Sequence, residues 1–190
     1  MHSIPIGTYL WNTLLQCGIV MICQLIFCSL AAYALTFFQF RGKDFLFTAI
    51  LVTMMIPGDV VIITNYIQIQ QWGLTDTHLG MALPYLIGGM SIFLMRQFYL
   101  TLPLSIPSLS SLAIYEFISI YNRYFWPLLV TNTDAMRTVQ IGMAMLDGGE
   151  SGKTTHVLAG AALCIIPAVI VFIIGQKYLI KGMTAGAVKG

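Results

Sequence analysis

From Tyr9 to Phe38 the chain runs for 30 residues without a single charge, and no other feature limits its fold so tightly. An α-helix rises 1.5 Å per residue, so this run would reach about 45 Å as one helix. The hydrocarbon core of a bilayer is about 30 Å thick and takes about 20 apolar residues to cross. The run therefore reads as a membrane span that tilts or projects into the interface. Composition points the same way. Of 190 residues only nine are Lys or Arg and seven Asp or Glu, while 58% are hydrophobic, against roughly 25% charged in a soluble domain. So few charges cannot wet a globule of this size. Collagen-like, disordered and disulfide-scaffold classes are excluded by 17 Gly, 7 Pro and 4 Cys. A scattered net charge of +2 gives nucleic acid nothing to hold.

Five apolar stretches of spanning length follow one another, at about 9–38, 45–69, 79–102, 104–130 and 157–180. The sequence predicts an all-α, polytopic bundle of five spans in a single transmembrane domain over 1–190. Lys and Arg accumulate in cytoplasmic loops. With Arg41 and Lys43 inside, alternation also puts Arg96, Lys177, Lys181 and Lys189 inside, and leaves Arg137 and Lys153 outside. The predicted orientation is N-out and C-in, with the segments 70–78 and 131–156 on the exterior. The first residues carry neither a basic n-region nor a small-residue cleavage site, so no signal peptide is expected. An N-out start suggests a preceding span. Gly88-Gly89 and the run Ala159 to Ala162 are small enough to let helices approach closely.

A few residues could carry chemistry. Gly148 to Thr154 looks like a phosphate-binding loop but has Asp147 where the motif needs its first Gly, and it falls on the exterior side. Glu116 and Arg123 are costly, since a charge at mid-helix costs about 2.5 to 3.5 kcal/mol even on the lenient insertion scale. Seven residues is close to two turns, so both would share one helical face with Asn122 beside Arg123 and Trp126-Pro127 beyond. Two readings stand: a substrate path, or a structural ion pair with a snorkelling Arg. Asp59 follows Pro57, which frees a carbonyl and kinks the second stretch, with Asn65 two turns further on. That kink either lines a pathway or is only a membrane-helix kink. Cys17, Cys23, Cys28 and Cys164 lie within apolar stretches without metal-ligand spacing, and the three His pair with nothing. Neither a metal site, a catalytic group nor a cofactor is expected.

Several strings resemble a known family. Trp11-Asn12-Thr13-Leu14, Leu30-Ala31-Ala32-Tyr33-Ala34 and Met55-Ile56-Pro57 come first, then Trp72-Gly73-Leu74-Thr75-Asp76-Thr77 and Leu83-Pro84-Tyr85. Ile92 to Phe98 and the ending Lys181 to Gly190 complete the set. In this order, over nearly the whole chain, they resemble permease subunits of binding-protein-dependent carbohydrate ABC importers, similar to the second subunit of the maltose permease. Asn122 to Leu129 is most similar to the glycerol-3-phosphate branch, where Arg123 would suit a phosphate. The resemblance implies a bacterial inner-membrane protein that forms half of a translocation pore. It implies as partners a second permease subunit, a cytoplasmic ATPase dimer and an extracytoplasmic solute-binding protein within membrane lipid, with ATP hydrolysis on partner subunits. Arg123, Asn122, Trp126, Glu116, Asp59 and Asn65 are the expected substrate pathway.

Two departures stand out. The family's first helix is missing, in agreement with the N-out start. The family's cytoplasmic Glu-Ala-Ala loop, whose short helix docks into the ATPase, is expected between Pro103 and Leu104, and Leu102-Pro103 runs straight into Leu104. A docking helix of two or three turns needs roughly 8 to 11 residues, which the connection lacks. A truncated, transport-incompetent membrane protein that has lost its ATPase is the alternative.

Overall fold

The computed structural model describes residues 5–101, 106–147 and 154–187, and among these every regular element is helical. The apolar run becomes one unbroken helix, α1 (Ile6–Phe37), 32 residues long with a mean hydropathy of 2.1. At about 48 Å it outruns a bilayer core. Its first turns meet polar groups: Tyr9 donates to the Asp134 carboxylate (2.8 Å), and Asn12 donates to the backbone carbonyls of Ala135 and Arg137. α1 ends where Phe38 turns extended, and Lys43 reaches back to donate to the carbonyls of Thr36 and Phe38, both at 3.0 Å. These are the acceptors a helix C-terminus leaves open.

The second stretch does not merely kink. It divides into α2 (Lys43–Thr53) and α3 (Gly58–Gln71). Pro57 has no N–H, and its ring excludes the carbonyl four residues back, which belongs to Thr53, the last residue of α2. Met54, Met55 and Ile56 close α2 with tighter three-residue bonds. α3 ends on Gly73, whose φ of +67° suits glycine. Leu74 N–H then bonds to Ile69 and Gly73 N–H to Gln70, the paired closure of a left-handed helix stop.

The third stretch is bent as well. α4 (His78–Ala82) continues through a 3-10 turn, Leu83–Tyr85, and meets α5 (Gly89–Thr101) at a bend of 52°. The fourth divides into α6 (Ile106–Tyr121) and α7 (Phe125–Val130). Here Pro127 sits in the first turn of α7, where a missing N–H costs nothing, while its ring excludes the carbonyl of Arg123. α8 (Val139–Asp147) is a short amphipathic helix, and α9 (Thr154–Ala187) continues past Pro167 without a break. By length and composition α1 and 157–177 are the continuous helices able to cross a membrane, and α4 with α5 forms a third only as a bent pair.

α1 packs against α5 and α6, and α6 against α9. The buried line of α1 is Asn12, Gln16, Val20, Gln24, Cys28 and Ala32, spaced four apart as one helical face requires. Large apolar side chains stand exposed elsewhere, such as Phe45 at 79% and Met55 at 81%, a surface suited to lipid or a neighbouring subunit. The polar segments 72–77 and 131–138 lie together at the N-terminal end of α1, because Asp76 N–H bonds to Val130 (2.7 Å) and Val139 N–H to Thr13 (2.9 Å). Alternating spans demand this co-location. Segments 102–105 and 148–153, hence the Pro103–Leu104 junction and most of the phosphate-loop look-alike, lie outside the described residues.

Candidate functional site: a cavity where three helix breaks meet

A helix break strips backbone groups of their partners, and inside a membrane protein these are tolerated only against protein or a water-filled cavity. Three breaks converge on one cavity of about 790 Å³. Met54, Ile56 and Gly58 come from the first, Pro84, Tyr85 and Gly89 from the second, and Arg123 from the third, while α3 adds Asn65 and α6 adds Tyr115. The first two breaks touch: a methyl group on Gly89 would lie 2.9 Å from Met54 Cγ. Gly88 faces Gln24 and Ser91 as closely, so the glycine pair permits the close packing expected of it.

Arg123 sets its guanidinium carbon over the ring of Tyr85, 3.6 Å from the centroid. Tyr85 meets Trp126 edge-on, at 6.2 Å and 84°. Trp126, 2% exposed, donates its indole N–H to the carbonyl of Met81 at 3.0 Å. Two side chains of α1 hold the same segment: Gln16 donates to Met81 (3.2 Å) and Gln24 to Tyr85 (2.8 Å). The carbonyls released by the bend are thus supplied with donors.

Of the six residues singled out in the sequence, Asn65 and Arg123 line the cavity and Trp126 braces its wall through Tyr85. Glu116 is buried behind the wall, accepting from Ser91 in the first turn of α5. It forms no ion pair with Arg123, whose position beyond the end of α6 takes it off the helical face that seven-residue spacing assumes. Asn122 lines a separate cavity of about 270 Å³ with Tyr121, Gln140 and Cys164. The side chain of Asp59 lies outside the described residues. Sequence reasoning missed Tyr85, Gln16, Gln24 and Ser91. A signal for the glutamines was present, as amides are costly in a charge-free span unless they have work there.

No family model matches the chain. Individual proteins do. The arabinooligosaccharides transport system permease protein AraQ of Halalkalibacterium halodurans is 30% identical over 96% of this chain and 74% of its own length. The sn-glycerol-3-phosphate transport system permease protein UgpE of Brucella abortus is 32% identical over 95% of this chain and 73% of its own. The chain belongs to the permease subunits of ABC importers. Its fold agrees. A crystal structure of a bacterial ABC transporter involved in the import of the acidic polysaccharide alginate matches 94% of the chain and 76% of its own, with a TM-score of 0.77 at 22% identity.

In this permease the breaks bring backbone and polar side chains to a shared space, which α1 supports through Gln24 and Tyr85. The string Thr75-Asp76-Thr77 also gains a structural reason. Asp76, at φ +60°, accepts the N–H groups of Asn132 (3.0 Å) and Thr133 (3.1 Å), and Thr77 caps α4 by accepting from Gly80 at 3.0 Å.

Proposed function

We propose that this permease passes a carbohydrate or glycerol-3-phosphate-like solute through the cavity at the three breaks. It contributes half of a pore completed by a second permease subunit, and works with a cytoplasmic ATPase dimer and an extracytoplasmic solute-binding protein. The chain itself hydrolyses no ATP. The observation that supports this reading is the meeting of Asn65, Tyr85, Tyr115 and Arg123 around one space, where discontinuous helices form the solute sites of many transporters. Asp59 belongs to the same route, with Trp126 bracing its wall and Glu116 fixing α6 to α5, while Asn122 opens on a separate cavity of about 270 Å³. The protein lies in a bacterial inner membrane, N-out and C-in, as its Lys and Arg asymmetry favours.

Coupling to the ATPase is weak in the chain as it stands. The stretch aligned with AraQ runs to 207 residues, longer than the entire 190-residue chain, so the relative holds residues there without counterparts here. We place the shortfall between Pro103 and Leu104. One experiment tests both points. The ATPase should co-purify poorly with this chain and well once a Glu-Ala-Ala loop is inserted after Pro103. In that restored transporter Arg123→Ala should abolish uptake while membrane insertion stays intact. Unchanged uptake would overturn the pathway, and strong co-purification of the original chain would overturn the coupling argument.

A further inference from the structure

Resting on the cavity reading above, we infer that Tyr85 is a positioning residue that turns Arg123 into an anion-selecting group, so that the solute carries a phosphate or carboxylate. Three observations carry this. First, Arg123 brings a full positive charge to the cavity, and none of the described residues lining that cavity is acidic. Glu116, next to the lining residue Tyr115 on α6, is engaged by Ser91 instead. With no acidic side chain among the described lining residues, the positive charge of Arg123 raises the value of any anion that enters.

Second, the guanidinium is not free to swing. Its Cζ sits over the Tyr85 ring, the ring is backed edge-on by Trp126, and Trp126 is anchored to Met81. The Tyr85 backbone is held by Gln24. Arg123 Nε is buried without a hydrogen-bond partner. Stacking orders the fork of N–H donors before a ligand arrives, and a fork matches two oxygens of a phosphate or carboxylate at once. A hydroxyl of a neutral sugar offers no such match.

Third, two helices begin at the cavity, α3 at Gly58 and α5 at Gly89, both lining residues. Their N-terminal dipoles add positive potential to the same space. The Tyr85 ring thus carries no charge of its own in this scheme. It sets the plane and the reach of the group that does.

The test uses the whole chain in phosphatidylcholine nanodiscs, with Trp11→Phe and Trp72→Phe so that fluorescence reports Trp126 beside Tyr85. The probes are sn-glycerol 3-phosphate, glycerol and neutral arabinotriose. Glycerol 3-phosphate should bind at least about tenfold more tightly than glycerol, the smallest factor expected of a charge-assisted pair. Arg123→Gln should remove that preference, and Arg123→Lys should fail to restore it. Tyr85→Leu should weaken glycerol 3-phosphate by about tenfold with Arg123 still present, and Tyr85→Phe, which keeps the ring, should recover it. A purely structural Tyr85 would instead change binding of all three probes alike. Equal binding of glycerol 3-phosphate and arabinotriose, insensitive to Arg123→Gln, would overturn the anion inference and leave the cavity reading standing. Failure of every probe to bind would overturn both. If phosphatidylglycerol in the disc reproduces the signal and blocks glycerol 3-phosphate, the anion is a lipid headgroup and the solute assignment falls.

Discussion

Gly80→Ala adds one methyl group at a place where the backbone has already closed. Gly80 is buried in α4, and a Cβ there would collide with the carbonyl oxygen of Leu74 and lie 3.2 Å from Ile69 Cγ2. That carbonyl cannot simply step aside. It accepts from Thr77 Oγ1 at 2.7 Å, while Leu74 N–H is tied to Ile69 at 3.0 Å. Overpacking of this kind costs about 1 to 3 kcal/mol, and displacement of Thr77 adds up to about 1 kcal/mol of lost helix cap. Alanine's better helix propensity returns at most about 1 kcal/mol. The net loss is then about 1 to 3 kcal/mol, which for a chain of this size lowers Tm by about 2 to 12 °C. The control is Gly18→Ala in α1, where a Cβ meets nothing within 4 Å and the same substitution should be neutral or stabilising. Far-UV circular dichroism melts in nanodiscs would read both. A Gly80→Ala protein melting at or above the wild type would refute the claim that the turn before α4 is closed against a side chain here.

Three further outcomes are expected. Burial pushes the pKa of Asp76 up, but the Thr133 hydroxyl, the N–H groups of Thr133 and Asn132 and the charge of Arg137 outweigh it and hold the carboxyl below its ordinary range. A depressed folded-state value means the clasp is at full strength above the ordinary carboxylate range and is lost as pH falls through the folded value. Proteolysis of 72–77 should therefore stay constant from about pH 7 to pH 5 and rise only below about pH 4, whereas Asp76→Asn, which tolerates positive φ, should open the turn at every pH. Ser91→Ala should destabilise by about 1 to 3 kcal/mol by leaving the Glu116 carboxyl buried without its partner, and adding Glu116→Leu should recover most of that; a neutral Ser91→Ala single variant would refute this. Impermeant thiol reagents applied from outside should modify Thr75→Cys and spare Gln39→Cys, and the reverse pattern would invert the topology.

The apolar skeleton of the permease was legible because it depends on one quantity, the length of charge-free sequence against the thickness of a bilayer. The run from Tyr9 to Phe38 became a single helix on that basis. The breaks were harder to read, since proline alone does not decide them. Pro57 sits four residues after the last residue of α2 and Pro127 in the first turn of α7, yet Pro167 lies inside an unbroken α9. Family strings such as Trp72 to Thr77 identified the protein without revealing their work. Only the fold shows that Gly73 stops a helix, Asp76 clasps the next loop and Thr77 caps α4. Arg123 and Asn65 were recognisable as polar groups in costly places. Tyr85 was not, because an aromatic in a membrane span looks like packing until a cation is found on its face.

The same reasoning explains why α1 must be continuous. Each break releases carbonyls, and each released carbonyl inside a membrane protein needs a donor from another element. α1 brings Gln16 and Gln24 two turns apart, and together they serve Met81 and Tyr85 across the bend of the third stretch. A helix itself broken at mid-depth could not hold both amides in register, because their spacing depends on eight consecutive residues of regular helix. The charge-free run that first marked the chain as a membrane protein is therefore also the support for its irregular parts. Gln24→Leu would remove the donor to Tyr85 and release the segment that carries the Arg123 stack, so its effect should appear first at the cavity and only second in the melting of α1.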